Sequence, residues 1–144
     1  ERVILNVLSN AVKYTQEKGN IKIYVGFVYN DAYIKVIDNG IGIPKEDLSR
    51  VFERFYRVDK ARSREMGGTG LGLSIAKEII EQNNGSIDIK SELGKGTEVV
   101  IRIPAVKKSW KIITILTASN IISNAITYTT YAPLPLKFIC FVKI

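Results

Sequence analysis

Four short stretches of this chain place polar and glycine residues where a phosphorylated ligand would need them. Gly68-Thr69-Gly70-Leu71-Gly72-Leu73 opens a helical pattern. A glycine-rich turn at a helix start aims free backbone N–H groups at one spot, which suits phosphate oxygens. It lacks the preceding strand of a dinucleotide-binding turn and the Lys-Ser/Thr ending of a P-loop, so alone it reads equally as a hinge before a helix. Asp38-Asn39-Gly40-Ile41-Gly42 sets a carboxylate at the end of an apolar strand, beside glycines that let a ligand approach the backbone. Such a carboxylate accepts a hydrogen bond from an exocyclic amine such as N6 of adenine, although Asp-Asn-Gly is also an ordinary turn. Asn6, Asn10 and Lys13 share one helical stripe. An amide oxygen there suits Mg²⁺ that already carries phosphates, and an ammonium one turn on meets a phosphate oxygen; the competing reading is a solvated helix face. Gly94-Lys95-Gly96-Thr97, taken singly, is a hairpin turn.

The elements that must hold these groups follow from periodicity. Ile4, Leu8 and Ala11 recur at helical spacing between Val3 and Tyr14. Ile21, Ile23, Val25 and Phe27 alternate as in a half-buried strand, and a second strand over Tyr33 to Ile37 completes a hairpin across Asn30-Asp31. Pro44 is a good first-turn residue and predicts a helix through Leu48 and Val51 to about Phe55. Residues 56 to 68 are dense in charge without an apolar period, which predicts a mobile loop. From Gly70 a second amphipathic helix carries Leu71, Ile75, Ala76, Ile79 and Ile80 on one face and ends at Asn84-Gly85. Two strands, SIDIK and TEVVIRI, close the pattern. The order predicts an α+β fold, a two-layer sandwich with a mixed, mostly antiparallel sheet and helices on one face.

Composition narrows the function. With 144 residues, 46% of them apolar, the chain fits one domain with a single core. Its one cysteine and lack of histidine exclude a disulfide framework, the usual zinc sites and every His-based triad. The +7 charge would suggest nucleic acid or membrane as partner, but residues 107 to 144 hold five lysines and no acid, leaving 16 basic and 14 acidic groups in residues 1 to 106. Neither partner is therefore expected for the body. Glu1 opens directly into a helical pattern, which predicts a piece of a longer protein. Residues 112 to 136 carry no charge, yet nine of them are Ser, Thr or Asn, a poor composition for a transmembrane helix. Residues 105 to 144 are expected to be a non-native or disordered appendage, such as out-of-frame translation of an A/T-rich gene would give; the competing reading is a genuine extension.

In their order and spacing the four stretches resemble the ATP-binding catalytic domain of bacterial sensor histidine kinases, in the wider Bergerat-fold family that includes gyrase and the Hsp90 chaperones. NVLSNAVKY is similar to the N-box, DNGIGIP, GGTGLGL and GKGT to the three glycine boxes, and FERFYR to the F-box. The phrase FYRVDKARSREMGGTGLGLSIAKEII is close to the cell-wall and phosphate-sensing kinases of Gram-positive bacteria. The resemblance covers residues 1 to 104. It implies ATP and Mg²⁺ as cofactors, with Asn10 as metal ligand and, together with Lys13 as a phosphate contact, as catalytic residues. Tyr14 would lie beside adenine and Asp38 would read it; Gly40, Gly42 and Ile43 would shape its pocket and Thr97 would assist through water. Residues 56 to 68 would form an ATP lid, with Gly68, Thr69, Gly70, Leu71, Gly72 and Leu73 as its phosphate-facing hinge. Arg57, Lys60, Arg62 and Arg64 are candidate phosphate contacts, with solvated charge as the competing role, while Phe52 and Phe55 would pack the lid base. Asn6 stands where gyrase-type relatives carry a water-activating glutamate, and an amide cannot serve as that base, which favours phosphoryl transfer over hydrolysis.

The activity so implied is transfer of the ATP γ-phosphoryl to a histidine on a separate dimerisation domain, in two-component signal transduction. The chain would not suffice alone, having no histidine to receive it. A response regulator would be an indirect partner, and the domain would be cytoplasmic, reaching the membrane only through segments of a membrane-anchored parent. The alternative is a truncated nucleotide-binding remnant without kinase activity.

Overall fold

The computed structural model describes residues 1–29, 31–58, 69–104, 126–129 and 138–143. In chain order the elements are α1 (Arg2–Tyr14), β1 (Asn20–Val28), β2 (Asp31–Asp38), α2 (Gly72–Gln82), β3 (Ser86–Glu92), β4 (Gly96–Pro104), β5 (Ile126–Thr129) and β6 (Phe138–Lys143). The sheet runs β3-β4-β2-β1-β6-β5. Within the mostly antiparallel sheet expected, every described pairing is antiparallel.

Alternation along the strands selects the face that packs. In β2, Ala32, Ile34, Val36 and Asp38 are buried, whereas Tyr33, Lys35 and Ile37 between them are only half-buried. Ile21, Ile23 and Val25 of β1, with Val99 and Ile101 of β4, join that face and meet Val3, Val7 and Ala11 of α1 and Ala76 and Ile80 of α2. Ile80 is 2% exposed, and truncation of such a side chain to Ala costs about 2–5 kcal/mol. On α1 the deepest stripe is Val3-Val7-Ala11; the expected Ile4 and Leu8 are only partly buried beside it. Turning that stripe to the sheet leaves Asn6, Asn10 and Lys13 on a neighbouring one. The other sheet face carries ion pairs, Lys35 with Glu98 at 3.2 Å and Arg102 with Asp88 at 2.9 Å, each of small worth where solvent screens it.

The second helix ends where Asn-Gly predicts. Asn84 takes the left-handed conformation at φ 55°, and the Gly85 N–H donates to the Ile80 carbonyl at 2.9 Å. The helix expected after Pro44 does not form. Residues 44–56 instead make successive tight turns, with the N–H groups of Asp47, Leu48, Arg50, Glu53 and Tyr56 each donating to the carbonyl three residues back. Val51 still reaches the core, and closure after three residues rather than four bends the chain enough to return Tyr56 to Asp47.

Beyond the region of resemblance, β6 pairs with β1 from Asn20 opposite Lys143 to Val25 opposite Phe138, and β5 pairs with β6. No helix among the described residues is long and apolar enough to cross a membrane.

Candidate functional site

The C-terminal half of α1, the end of β2, the start of β4 and the start of α2 enclose a cavity of about 370 Å³. Its wall includes Asn6, Asn10, Lys13 and Tyr14 from α1, and Asp38, Gly42 and Ile43 from the end of β2 and the turn after it. Thr97 comes from β4, Arg57 from the end of the tight turns, and Thr69, Gly70, Gly72 and Leu73 from the glycine run. Asn6 and Thr97, more than ninety positions apart, thus converge. Gly40 and Leu71 do not line the cavity, and Lys60, Gly68, Arg62 and Arg64 lie outside the described residues.

Asp38 is the buried acid of the site. The N–H groups of Gly40, at 2.9 Å, and Thr97, at 3.2 Å, both donate to its Oδ1. Its Oδ2 takes no hydrogen bond among the described residues and remains open to the cavity. Burial pushes the Asp38 carboxyl above its ordinary value, and these two backbone bonds offset part of that rise. The register makes the arrangement possible, since Thr97 of β4 lies directly opposite Asp38 of β2. Gly96 allows it too. At φ 107° it occupies backbone space closed to other residues, and a Cβ there would lie 2.0 Å from the Asp38 carbonyl oxygen.

Asn6 and Asn10, one turn apart, have different surroundings. The Asn6 amide nitrogen donates to the Gly72 carbonyl at 3.0 Å, so this side chain ties α1 to the glycine run. Asn10 makes no such tie among the described residues, and its amide stays available to a ligand. The Lys13 ammonium sits 5.7 Å from the centre of the Tyr14 ring. Arg57 brings a second cation to the wall, and its Nε and Nη2 are buried without a hydrogen-bond partner among the described residues.

Sequence reasoning missed two features. Ser91, near the end of β3, lies under the pocket: its Oγ accepts the Ile43 N–H at 2.9 Å, donates to the Gly96 carbonyl at 2.7 Å and sits 2.9 Å from the Thr97 hydroxyl. A serine in an alternating strand carries no signal of such a role. Phe55 was expected to pack the lid base, yet it is 70% exposed at φ 65°, with its N–H donating to the Gly70 carbonyl at 2.9 Å. Gly70 has its Cα close against the Phe55 backbone, where a Cβ would come within 2.9 Å of it, and this clasp turns the Phe55 ring outward. Phe52 keeps a neighbour, with the Lys77 ammonium 5.4 Å from its ring centre.

A buried acceptor, a free amide and two cations on one cavity wall suit a ligand that carries both an amine and anionic oxygens. Comparison with known proteins agrees. Sensor histidine kinase WalK of Bacillus subtilis is 49% identical over 105 residues, 72% of this chain and 17% of that protein. Sensor protein kinase WalK of Staphylococcus saprophyticus is 50% identical over the same length and shares. The chain therefore spans about a sixth of these relatives. Among solved structures, the mycobacterial sensor histidine kinase MprB superposes with a TM-score of 0.63 at 34% identity, covering 72% of this chain and 70% of that one. The catalytic domain of histidine kinase ThkA gives 0.60 at 33%, covering 72% and 64%. Residues 1–107 match the family described as histidine kinase-, DNA gyrase B-, and HSP90-like ATPase, and with the fold, the cavity and these relatives in agreement, the chain belongs to that family.

Proposed function

We propose that this chain is the ATP-binding catalytic part of a sensor histidine kinase, which places the γ-phosphoryl of ATP in line with a histidine supplied by another domain. The observation that carries this reading is the make-up of the cavity wall, which brings the buried carboxylate of Asp38 together with Asn10, the cations of Lys13 and Arg57 and the glycine run. Asp38 accepts from the adenine amino group, Tyr14 lies beside the base, and Thr97 assists through water. Lys13 and Arg57 meet the phosphates, and Thr69, Gly70 and Gly72 line their path.

Among the described residues no cluster of three or more acidic, cysteine or histidine side chains is present to hold a cation. Asn10 offers one neutral hard oxygen, which fits an Mg²⁺ ion that takes its remaining ligands from phosphate and water. Such an ion, when bound, neutralises phosphate charge. The chain's own residues position the nucleotide, exclude water from its buried end and hold cations at the phosphates, and phosphoryl transfer asks for little more than positioning and charge neutralisation. The amide of Asn6, engaged with the Gly72 carbonyl, is no base for activating water.

The chain covers a small share of its relatives, so a nucleotide-binding remnant without kinase activity is the second reading. Incubation with radiolabelled ATP, alone and with an added helical domain carrying a phosphoacceptor histidine, separates them. Transfer predicts no acid-labile label on this histidine-free chain and label on the added domain. ATP binding without label on either supports the remnant, and acid-stable self-labelling would refute the histidine mechanism.

A further inference from the structure

We propose that Asp47 and Tyr56 are positioning residues, a polar latch at the end of the tight turns that keeps Arg57 at the cavity wall. The inference rests on the phosphate-contact reading of Arg57 and extends it to groups that need not touch the nucleotide's phosphates themselves.

Two buried guanidinium nitrogens without an acceptor among the described residues are costly, so the conformation of Arg57 does not sustain itself; neighbouring structure must impose it. The structure holds the preceding residue from two sides. The Tyr56 hydroxyl donates to Asp47 Oδ1, and the Arg50 guanidinium lies 4.2 Å from the centre of the Tyr56 ring. The bond to Asp47 is also the main reason that the Tyr56 phenol is pushed above its ordinary value. Just before it, Phe55 sits at φ 65°, a conformation that a bulky residue adopts only under constraint, and its N–H is fixed to the Gly70 carbonyl. Tyr56 is therefore pinned through its hydroxyl, its ring face and its backbone approach.

The same network engages two of the carboxylates that could compete for Arg57. The described carboxylates near it in sequence are Glu46, Asp47 and Glu53. Asp47 accepts from Tyr56, and Glu53 is engaged by Arg50 through Nε at 3.3 Å and Nη2 at 3.2 Å. With these two committed and no ion pair to Arg57 among the described residues, its charge is available to an anionic ligand. The ring of Tyr56 shares the cavity wall with Arg57, so displacement of the ring would carry the arginine with it.

The test is the ratio of Mg²⁺-ATP affinity to AMP affinity, by calorimetric titration of the 144-residue chain. General damage would weaken both ligands, whereas the latch acts on the outer phosphates alone. Tyr56→Phe keeps the ring and removes the hydroxyl, and we expect ATP affinity to fall about three- to tenfold, with AMP within about 1.5-fold. Asp47→Ala should behave alike, whereas Asp47→Asn, whose amide oxygen still accepts the phenol proton, should stay close to the parent. Where Arg57 is already Ala, Tyr56→Phe should change nothing further. If Arg57→Ala leaves the ratio unmoved, the phosphate reading of Arg57 falls and the latch with it. If Arg57→Ala lowers the ratio while Tyr56→Phe does not, or does so equally in the Arg57→Ala background, the latch alone is overturned. Should Tyr56→Phe fail to fold, the Asp47→Ala and Asp47→Asn pair gives the same decision.

Discussion

Replacing Asp38 by Asn is isosteric, yet it should both reverse base preference and stabilise the nucleotide-free protein. The orientation of the new amide is dictated by the two backbone donors. Gly40 and Thr97 both present N–H groups to Oδ1, so the amide oxygen must stay there and the NH₂ group takes the place of Oδ2, facing the cavity. A donor then meets the adenine amino group. The loss comprises a charge-assisted hydrogen bond of about 1.5–3 kcal/mol plus about 1–3 kcal/mol for polar groups left unpaired, so ATP affinity should fall at least about 100-fold. Inosine triphosphate, with a carbonyl where adenine has its amine, meets the NH₂ group as an acceptor and should bind the variant more tightly than the parent.

The same substitution removes a carboxyl whose value burial raises. A raised acid binds its proton more readily folded than unfolded, so its favourable contribution is complete below the ordinary value of 3.8 and is lost as pH rises through the raised folded value. At pH 7 the parent carries that penalty and Asp38→Asn does not. The variant should therefore melt higher without nucleotide, by a margin that shrinks as pH falls toward 3.8. Titration with ATP and inosine triphosphate and thermal melts against pH read both effects. ATP binding retained within about threefold, or an unmoved preference between the two bases, would refute the assignment of Asp38 Oδ2.

Asn10→Ala should weaken Mg²⁺-ATP binding at least about tenfold while changing nucleotide binding in EDTA less than about twofold, since the lost group is a metal ligand; equal losses would make Asn10 structural. Gly96→Ala forces a Cβ to 2.0 Å from the Asp38 carbonyl oxygen at φ 107°, and urea denaturation should show a loss of about 3 kcal/mol or more. Ending the chain after Ala105 should leave ATP affinity within about twofold, because β6 lies on the side of β1 away from β2 and Asp38; amide exchange should meanwhile quicken along the freed edge of β1.

The parts of this fold that could be read from the sequence are those in which one period governs many residues. Alternation over residues 20–38 and 86–104 located four strands to within a residue or two, and the Asn84-Gly85 stop was visible because its chemistry is local. The segment after Pro44 misled because apolar residues three apart suit a succession of tight turns as well as a helix, and the closure onto Asp47 depends on a side-chain bond nine residues away. In the site, glycines and conspicuous polar groups marked Asp38, Asn10 and the glycine run. The division of labour between Asn6 and Asn10 was hidden, since it depends on which of two identical side chains reaches Gly72. Strands β5 and β6 carried no turn code that would have paired them.

The hydroxyl of Ser91 has one proton, and the Gly96 carbonyl takes it. Its two lone pairs are then left for the Ile43 N–H and for the Thr97 hydroxyl, which must act as donor in that contact. Thr97 has thereby spent its only proton beneath the pocket and turns lone pairs alone toward the ligand, beside the lone pairs of Asp38 Oδ2. This end of the cavity is a surface that only accepts. A base edge bearing a carbonyl finds no proton there and is turned away by missing complementarity, with no steric barrier involved, and a water bridging Thr97 to a ring nitrogen has its direction set in advance: one hydrogen to the threonine, the other to the base.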